Sequence, residues 1–131
     1  MNAATRRFVR QRAGFRCEYC HIHEDDDPYS FHLEHIIARK HVGSDNRSNL
    51  AWSCQNCNFA KGSNLSGRAN GDIVALFHPR RQRWNRHFQW RGPVLIGKTK
   101  CGRATIHVLN INIEDLVKVR TLLIAAGNRM V

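Results

Sequence analysis

The 131-residue chain lacks any long apolar run, and none of its hydrophobic stretches approaches the roughly 18 residues that a membrane helix needs. The segment from Met1 to Gly14 carries four arginines but no apolar stretch, so we expect no secretory signal there. These absences favour a cytoplasmic protein with no membrane partner. Hydrophobic residues make up 42% of the chain, which excludes disorder throughout and favours a single domain over residues 1–131.

Acidic residues are scarce, since 10 Asp and Glu stand against 21 Lys and Arg and give a formal net charge of +11. No acidic residue lies between Asp72 and Glu114, a stretch that is rich in arginine. Acid-free, Arg-rich segments favour a polyanionic partner, because arginine binds phosphate groups in a bidentate manner. The residues predicted to bind nucleic acid are Arg80, Arg81, Arg83 and Arg86. The alternative is a charged surface that only aids solubility.

Four of the five cysteines form two pairs with identical spacing, Cys17-x2-Cys20 and Cys54-x2-Cys57. Two such pairs predict a four-thiolate site for a structural zinc ion. A disulfide framework is disfavoured because the chain shows no secretory signal. A redox motif is disfavoured because it needs only one Cys-x2-Cys pair, and this chain has two. Cys101 stands alone and is expected to be a small, partly buried apolar residue.

Hydrophobic patterns and turn residues predict the elements in outline. Helices are predicted over 3–13 and 54–62, strands over 31–37, 50–52 and 94–96, and a final helix with Asn112 as its N-cap. That final helix is expected to direct Leu116, Val117, Leu123 and Ile124 toward the core. Residues 63–71 are predicted as a turn-rich link and 78–90 as loop or short helix, while 103–111 remain ambiguous between helix and strand.

The stretch between the cysteine pairs holds an acid followed by a histidine, then two asparagines and a lysine: Glu34-His35-Ile, Asn49-Leu50 and Cys57-Asn58-x2-Lys61. At these spacings the sequence resembles the HNH endonucleases, whose core is the ββα-metal (His-Me) finger. The four flanking cysteines resemble the zinc-bearing variety of that family. The resemblance implies an α+β fold with a ββα-metal core over 17–62, preceded by a helix. A basic C-terminal extension over 72–131, which ends in a helix, would follow.

The resemblance also implies a function, the metal-dependent hydrolysis of phosphodiester bonds in double-stranded DNA. His35 matches the family's general base, and Asn49 matches the residue that braces the loop and orients that base. Glu34 and Asn58 match the ligands of a catalytic divalent cation, and their oxygens suit Mg²⁺ or Mn²⁺. Lys61 lies one helical turn after Asn58 and is expected to contact the same phosphate.

Several alternatives stay open. In a regular strand Glu34 and His35 point to opposite faces, so the hairpin must bend for both to serve one phosphate. His32 shares the face of Glu34 and is a candidate for an extra ligand or phosphate contact, although a packing role is preferred. A non-catalytic zinc-stapled nucleic-acid-binding module and a nuclease acting on RNA are the competing functions. The chain is expected to be a monomer or a homodimer.

Overall fold

The computed structural model describes all residues, 1–131, and begins with a helix. Helix α1 spans Ala3–Arg12, and the Asn2 side chain caps it by accepting a hydrogen bond from the Thr5 amide at 2.8 Å. Gly14 follows with a φ of +64°, the left-handed conformation that suits the end of a helix. The predicted first helix is therefore confirmed, with its end one residue earlier.

The motif-bearing segment is a β-hairpin followed by a helix. Strands β1 (His32–His35) and β2 (Leu50–Ser53) pair antiparallel, with His35 opposite Leu50. Their connection contains two short 3₁₀ turns, and helix α2 (Gln55–Lys61) follows β2 after a single residue. The predicted hairpin and helix are thus confirmed, with a shorter first strand, a second strand that is one residue longer, and a helix that is one residue shorter at each end.

The segment predicted as a turn-rich link is instead a second hairpin, so that prediction is wrong. Strands β3 (Ser66–Ala69) and β4 (Asp72–Ala75) pair antiparallel around Asn70-Gly71, both with positive φ. Asn-Gly is the residue pair that a two-residue hairpin turn of this kind favours. The sequence therefore indicates the turn but not the two strands, because most of the strand side chains are exposed and show no apolar alternation.

A third hairpin and three helices complete the chain. A short helix α3 (Trp84–His87) leads into β5 (Phe88–Arg91), which pairs with β6 (Val94–Gly97). Helix α4 spans Lys100–Val108 and packs against β3 and β6, so the ambiguous segment over 103–111 is mainly helical. The strand over 94–96 is confirmed, whereas β5 was not predicted.

The last helix, α5, spans Glu114–Ala125, and the predicted cap at Asn112 is wrong. The Asn112 amide instead bonds the backbone N–H and C=O of Leu95, at 3.0 and 2.7 Å, and accepts from Arg120. Arg120 is the buried residue of this helix, while Ile124 is exposed. Of the four apolar residues predicted to face the core, Leu116, Val117 and Leu123 are half-buried.

One apolar cluster joins elements from both halves of the chain, including Val9 of α1, Trp52 of β2, Phe77, Phe88 of β5 and Ile111. Helices and small antiparallel hairpins pack around this cluster, which confirms the α+β class. Cys101 is half-buried at its edge, as predicted. None of the helices has the length and apolar character needed to cross a membrane.

Candidate active site and metal centre

The four paired cysteines meet at one point inside the protein. Their sulfur atoms all lie within 4.8 Å of one another, and all four residues are buried. Cys17 and Cys20 come from the turn after α1, while Cys54 and Cys57 open α2. Backbone amides donate to the sulfurs, from Tyr19 to Cys17 at 3.4 Å and from Cys57 to Cys54 at 3.4 Å. Four converging sulfurs with amide support fit a tetrahedral zinc ion.

Hydrogen bonds among the four thiols shift their pKa values in different directions. Burial raises the pKa of the Cys17 thiol, but hydrogen bonds from the other three thiols outweigh it and lower that pKa well below its usual value. The corresponding bonds to Cys17 raise the pKa of Cys57. A cluster that already favours one thiolate without metal is suited to a cation, which requires deprotonated sulfur.

His35 lies at the end of β1, where its imidazole is 21% exposed and contacts Asp45. The Nε2 atom is 2.7 Å from Asp45 Oδ1, and Arg39 donates to the same oxygen from Nε and Nη2 at 3.1 and 3.0 Å. The hydrogen bond from His35, followed by those from Arg39, lowers the pKa of the Asp45 carboxyl. A neutral imidazole that donates from Nε2 keeps Nδ1 as a proton acceptor. Nothing in the sequence pattern linked Asp45 or Arg39 to His35.

Asn49 fixes the loop that carries Asp45. Its Oδ1 accepts from the Ile37 amide at 2.9 Å, while its Nδ2 donates to the carbonyls of Ile37 at 2.9 Å and Ser44 at 2.7 Å. The same loop passes so close to itself that a Cβ on Gly43 would lie 1.7 Å from the Ile37 oxygen. The loop beside His35 is therefore held in one conformation by a buried amide and a close backbone approach.

Glu34 points to the opposite side of the hairpin, because the strand stays regular through His35 and bends only after it. Its side chain is 5% exposed, and Oε1 lies 2.7 Å from Lys61 Nζ, which donates to the Ile36 carbonyl at 2.9 Å. The Lys61 ammonium and the Tyr19 hydroxyl are the donors that face this buried carboxylate. Burial raises the pKa of Glu34, and the Lys61 charge opposes that effect.

The structure thus places the predicted site residues on two faces of the hairpin. His35 and the loop fixed by Asn49 share one face, and Glu34 with Lys61 shares the other. Asn58 is half-buried on α2, and its side-chain amide makes no hydrogen bond within the protein. The Lys61 ammonium is 2% exposed, so it faces the Glu34 carboxylate and not the solvent from which a phosphate would approach.

The four predicted nucleic-acid-binding arginines separate into two groups. Arg80 is 18% exposed and forms an ion pair with Glu18. Burial, followed by the charge of Arg12, lowers the pKa of Arg80 to about 10. The exposed members, which form no ion pair, are Arg81, Arg83 and Arg86. Sequence reasoning missed the Arg80–Glu18 pair because the two residues are 62 positions apart.

Two open clefts lie between the hairpin loop and the start of the extension. They have volumes of about 440 and 420 Å³ and share Ile37, His78 and Arg81 in their walls. No acidic side chain lines either cleft. The shared residues make the two clefts neighbours on one surface that is lined by cations.

Comparisons with known proteins agree with the position of this site. A family model described as HNH endonuclease matches residues 17–64, the segment that contains both cysteine pairs, the hairpin and α2. No curated protein and no solved structure matches the chain. The family-level likeness is thus confined to residues 17–64, and the cluster of four cysteines in that segment fits the zinc-bearing type of HNH domain.

Proposed function

We propose that this protein is a metal-dependent endonuclease that hydrolyses phosphodiester bonds of DNA. The observation that carries the proposal is the partly exposed imidazole of His35, held by Asp45 and by a loop that Asn49 fixes, within a segment that matches the HNH family. An imidazole that is partly exposed to solvent and locked in one orientation is suited to general-base catalysis.

His35 is the proposed general base. With Nε2–H donating to Asp45, Nδ1 accepts the proton of the water that attacks phosphorus. Asn49 and Asp45 are positioning residues in this mechanism, because they act through the loop and the imidazole. By resemblance to the family, the products carry 5′-phosphate and 3′-hydroxyl ends.

Glu34 and Asn58 are the proposed holders of a catalytic Mg²⁺ or Mn²⁺ ion. The support is the chemistry of the two side chains, since carboxylate and amide oxygens are ligands that such an ion prefers, and the Asn58 amide makes no hydrogen bond within the protein. The Glu34 carboxylate would exchange its Lys61 ion pair for the cation. When bound, such a cation would offset phosphate charge and stabilise the leaving oxygen, provided that β1 bends on substrate binding so that Glu34 and His35 reach one phosphate. Lys61 holds α2 and the Glu34 carboxylate together and is assigned a positioning role. The four cysteines are proposed to hold a structural zinc ion.

Arg81, Arg83 and Arg86 are the proposed phosphate contacts of double-stranded DNA, and Arg80 is assigned to the Glu18 ion pair instead. The support is their exposure and the acid-free clefts beside Arg81. A cationic surface beside the hairpin loop would bring the backbone of a bound strand close to His35.

A non-catalytic zinc-stapled module that binds nucleic acid is the second candidate. The observation in its favour is the Lys61 ammonium, which occupies the side of Glu34 where a catalytic cation would bind. In that case the HNH residues would serve the fold, and the arginines alone would bind the nucleic acid.

Plasmid cleavage separates the two candidates. Zinc-loaded protein is incubated with supercoiled plasmid plus Mg²⁺, Mn²⁺, or no added divalent ion, and its zinc content is measured before and after. We expect nicked or linear DNA only where Mg²⁺ or Mn²⁺ is added. Binding of the plasmid without cleavage under every condition would favour the binding module, and cleavage of an RNA substrate alone would favour the RNase.

A further inference from the structure

Arg12 at the end of α1 and Arg47 in the loop before β2 place their guanidinium groups over one aromatic ring. Their Cζ atoms lie 5.3 and 4.0 Å from the ring centroid of Phe8. All three residues are exposed to solvent. A guanidinium group that stacks on an aromatic ring uses its face and leaves the N–H groups at its edge available to a ligand.

Hydrogen bonds fix Arg12 at the hairpin that carries His35. Arg12 Nη1 donates to the Arg47 carbonyl at 3.0 Å, and Nη2 donates to the Leu50 carbonyl at 2.6 Å. Leu50 is paired directly with His35 across the hairpin, and the Cα atoms of such a pair lie within about 5.5 Å of each other. The guanidinium group of Arg12 is therefore bonded to the residue beside the proposed general base.

Positive charge accumulates at this point without an equal number of carboxylates. Arg80 Nη1 lies 3.5 Å from the same Leu50 oxygen, so two guanidinium groups meet at one carbonyl. Burial, followed by the charge of Arg47, lowers the pKa of Arg12. Of the three arginines only Arg80 has an ion-pair partner, Glu18. Cations that are held together without matching counter-charge attract an anion.

We propose that Arg12 and Arg47 form a binding site for a backbone phosphate of the DNA substrate, separate from the contacts assigned to the basic extension. This inference rests on the proposed function and extends its interface to α1 and the hairpin loop. The planar fork of a guanidinium group matches two oxygens of a phosphate. Because Arg12 is bonded to Leu50, a phosphate held there is fixed at the edge of the hairpin that carries His35.

The salt dependence of duplex binding tests the site. Fluorescence anisotropy of a labelled DNA duplex is measured with zinc-loaded protein and no added divalent ion, so that cleavage does not interfere. Arg47→Gln is the test variant, because the Arg47 side chain makes no hydrogen bond within the protein. Arg91→Gln is the matched control, since it removes the same charge from an exposed arginine of β5 that forms no ion pair.

We expect Arg47→Gln to flatten the plot of log affinity against log salt concentration by about 0.9. That change of slope corresponds to a loss of roughly tenfold in affinity at 0.1 M salt, relative to the value approached at 1 M. Arg91→Gln should bind the duplex as wild type does. Arg47→Lys keeps the charge but loses the fork, so its affinity should fall while its slope stays that of wild type.

A slope for Arg47→Gln equal to that of wild type, or an equal loss of affinity in Arg91→Gln, would overturn the proposal. Failure of the wild-type protein to bind the duplex would overturn it as well. Neither readout requires cleavage. A protein that binds DNA through Arg47 but never cuts it would refute the nuclease and keep the phosphate site, whereas plasmid cleavage with an unchanged slope in Arg47→Gln would do the reverse.

Discussion

Val42 has a backbone conformation that its β-branched side chain disfavours. It has φ +66° and ψ +26° in the loop beside the site, and it is 94% exposed. A β-branched side chain in the left-handed region is strained, and exposure leaves no packing to offset the strain. Glycine, which has no Cβ, adopts this conformation without that strain.

Val42→Gly is therefore expected to stabilise the protein by about 1 kcal/mol, since relief of roughly 1–2 kcal/mol of strain is partly offset by the greater freedom of glycine in the unfolded chain. Denaturant unfolding of wild type and variant measures the change. Gly43→Ala serves as the opposite control, because its Cβ would collide with the Ile37 oxygen. Equal or lower stability of Val42→Gly would contradict the strain.

At the scale of elements, the Glu34–Lys61 pair joins α2 to β1. Both side chains are almost wholly buried, and Lys61 also donates to the backbone of Ile36. Removing one member of a buried pair leaves the other charge uncompensated, which costs more than the pair itself contributes.

Lys61→Met is expected to lower the free energy of unfolding by about 3–5 kcal/mol at pH 7. The lost ammonium no longer opposes burial, so the pKa of Glu34 should rise further above its usual value. A carboxyl whose pKa is raised in the folded state lowers the free energy of unfolding as the pH rises through that pKa. The difference in unfolding free energy between wild type and Lys61→Met should therefore be smaller at pH 5 than at pH 7. Urea unfolding at both pH values measures this, with Lys61→Met/Glu34→Leu expected to recover most of the loss. An equally large deficit at both pH values would argue against a buried, uncompensated carboxylate.

Local elements of the fold and site could be predicted from the sequence, whereas contacts between distant elements could not. The cysteine spacing and the Glu-His, Asn and Asn-x2-Lys pattern located the hairpin, α2 and the sulfur cluster, because these features are local. Spacing alone placed Lys61 on the same side of the helix as Asn58, but only tertiary packing showed that its ammonium is buried against Glu34. Asn112 was mistaken for a cap because its partner, Leu95, lies in a distant hairpin.

At the scale of the whole molecule, hydrogen bonds and an ion pair connect the basic extension to residues 17–64 around the sulfur cluster. Trp84 Nε1 donates to the Tyr19 carbonyl at 2.8 Å, and Asn56 Nδ2 donates to the Leu109 carbonyl at 3.1 Å. The Arg80–Glu18 ion pair adds a third connection. Because these contacts flank the cysteine residues, loss of zinc should loosen the extension together with that segment.

Cys54→Ser is expected to lower the zinc content and the melting temperature markedly, because a three-sulfur site holds zinc more weakly and a small domain depends on such a site. Metal analysis and thermal unfolding measure the two effects. Cys101→Ser is the matched control, because its sulfur lies outside the cluster. A Cys54→Ser protein that binds no zinc yet melts like wild type would show that the cluster does not support folding.

The central claim is that His35 is the base of a DNA-cleaving site, and the cleavage rate of His35→Ala tests it most directly. The variant keeps the sulfur cluster and the exposed arginines, so we expect it to fold, to bind zinc and to bind plasmid DNA with wild-type affinity. Its rate of plasmid cleavage under saturating Mn²⁺ should fall by about 10²–10⁴-fold, while His41→Ala should cleave as wild type does. Cleavage by His35→Ala at the wild-type rate would contradict the assignment.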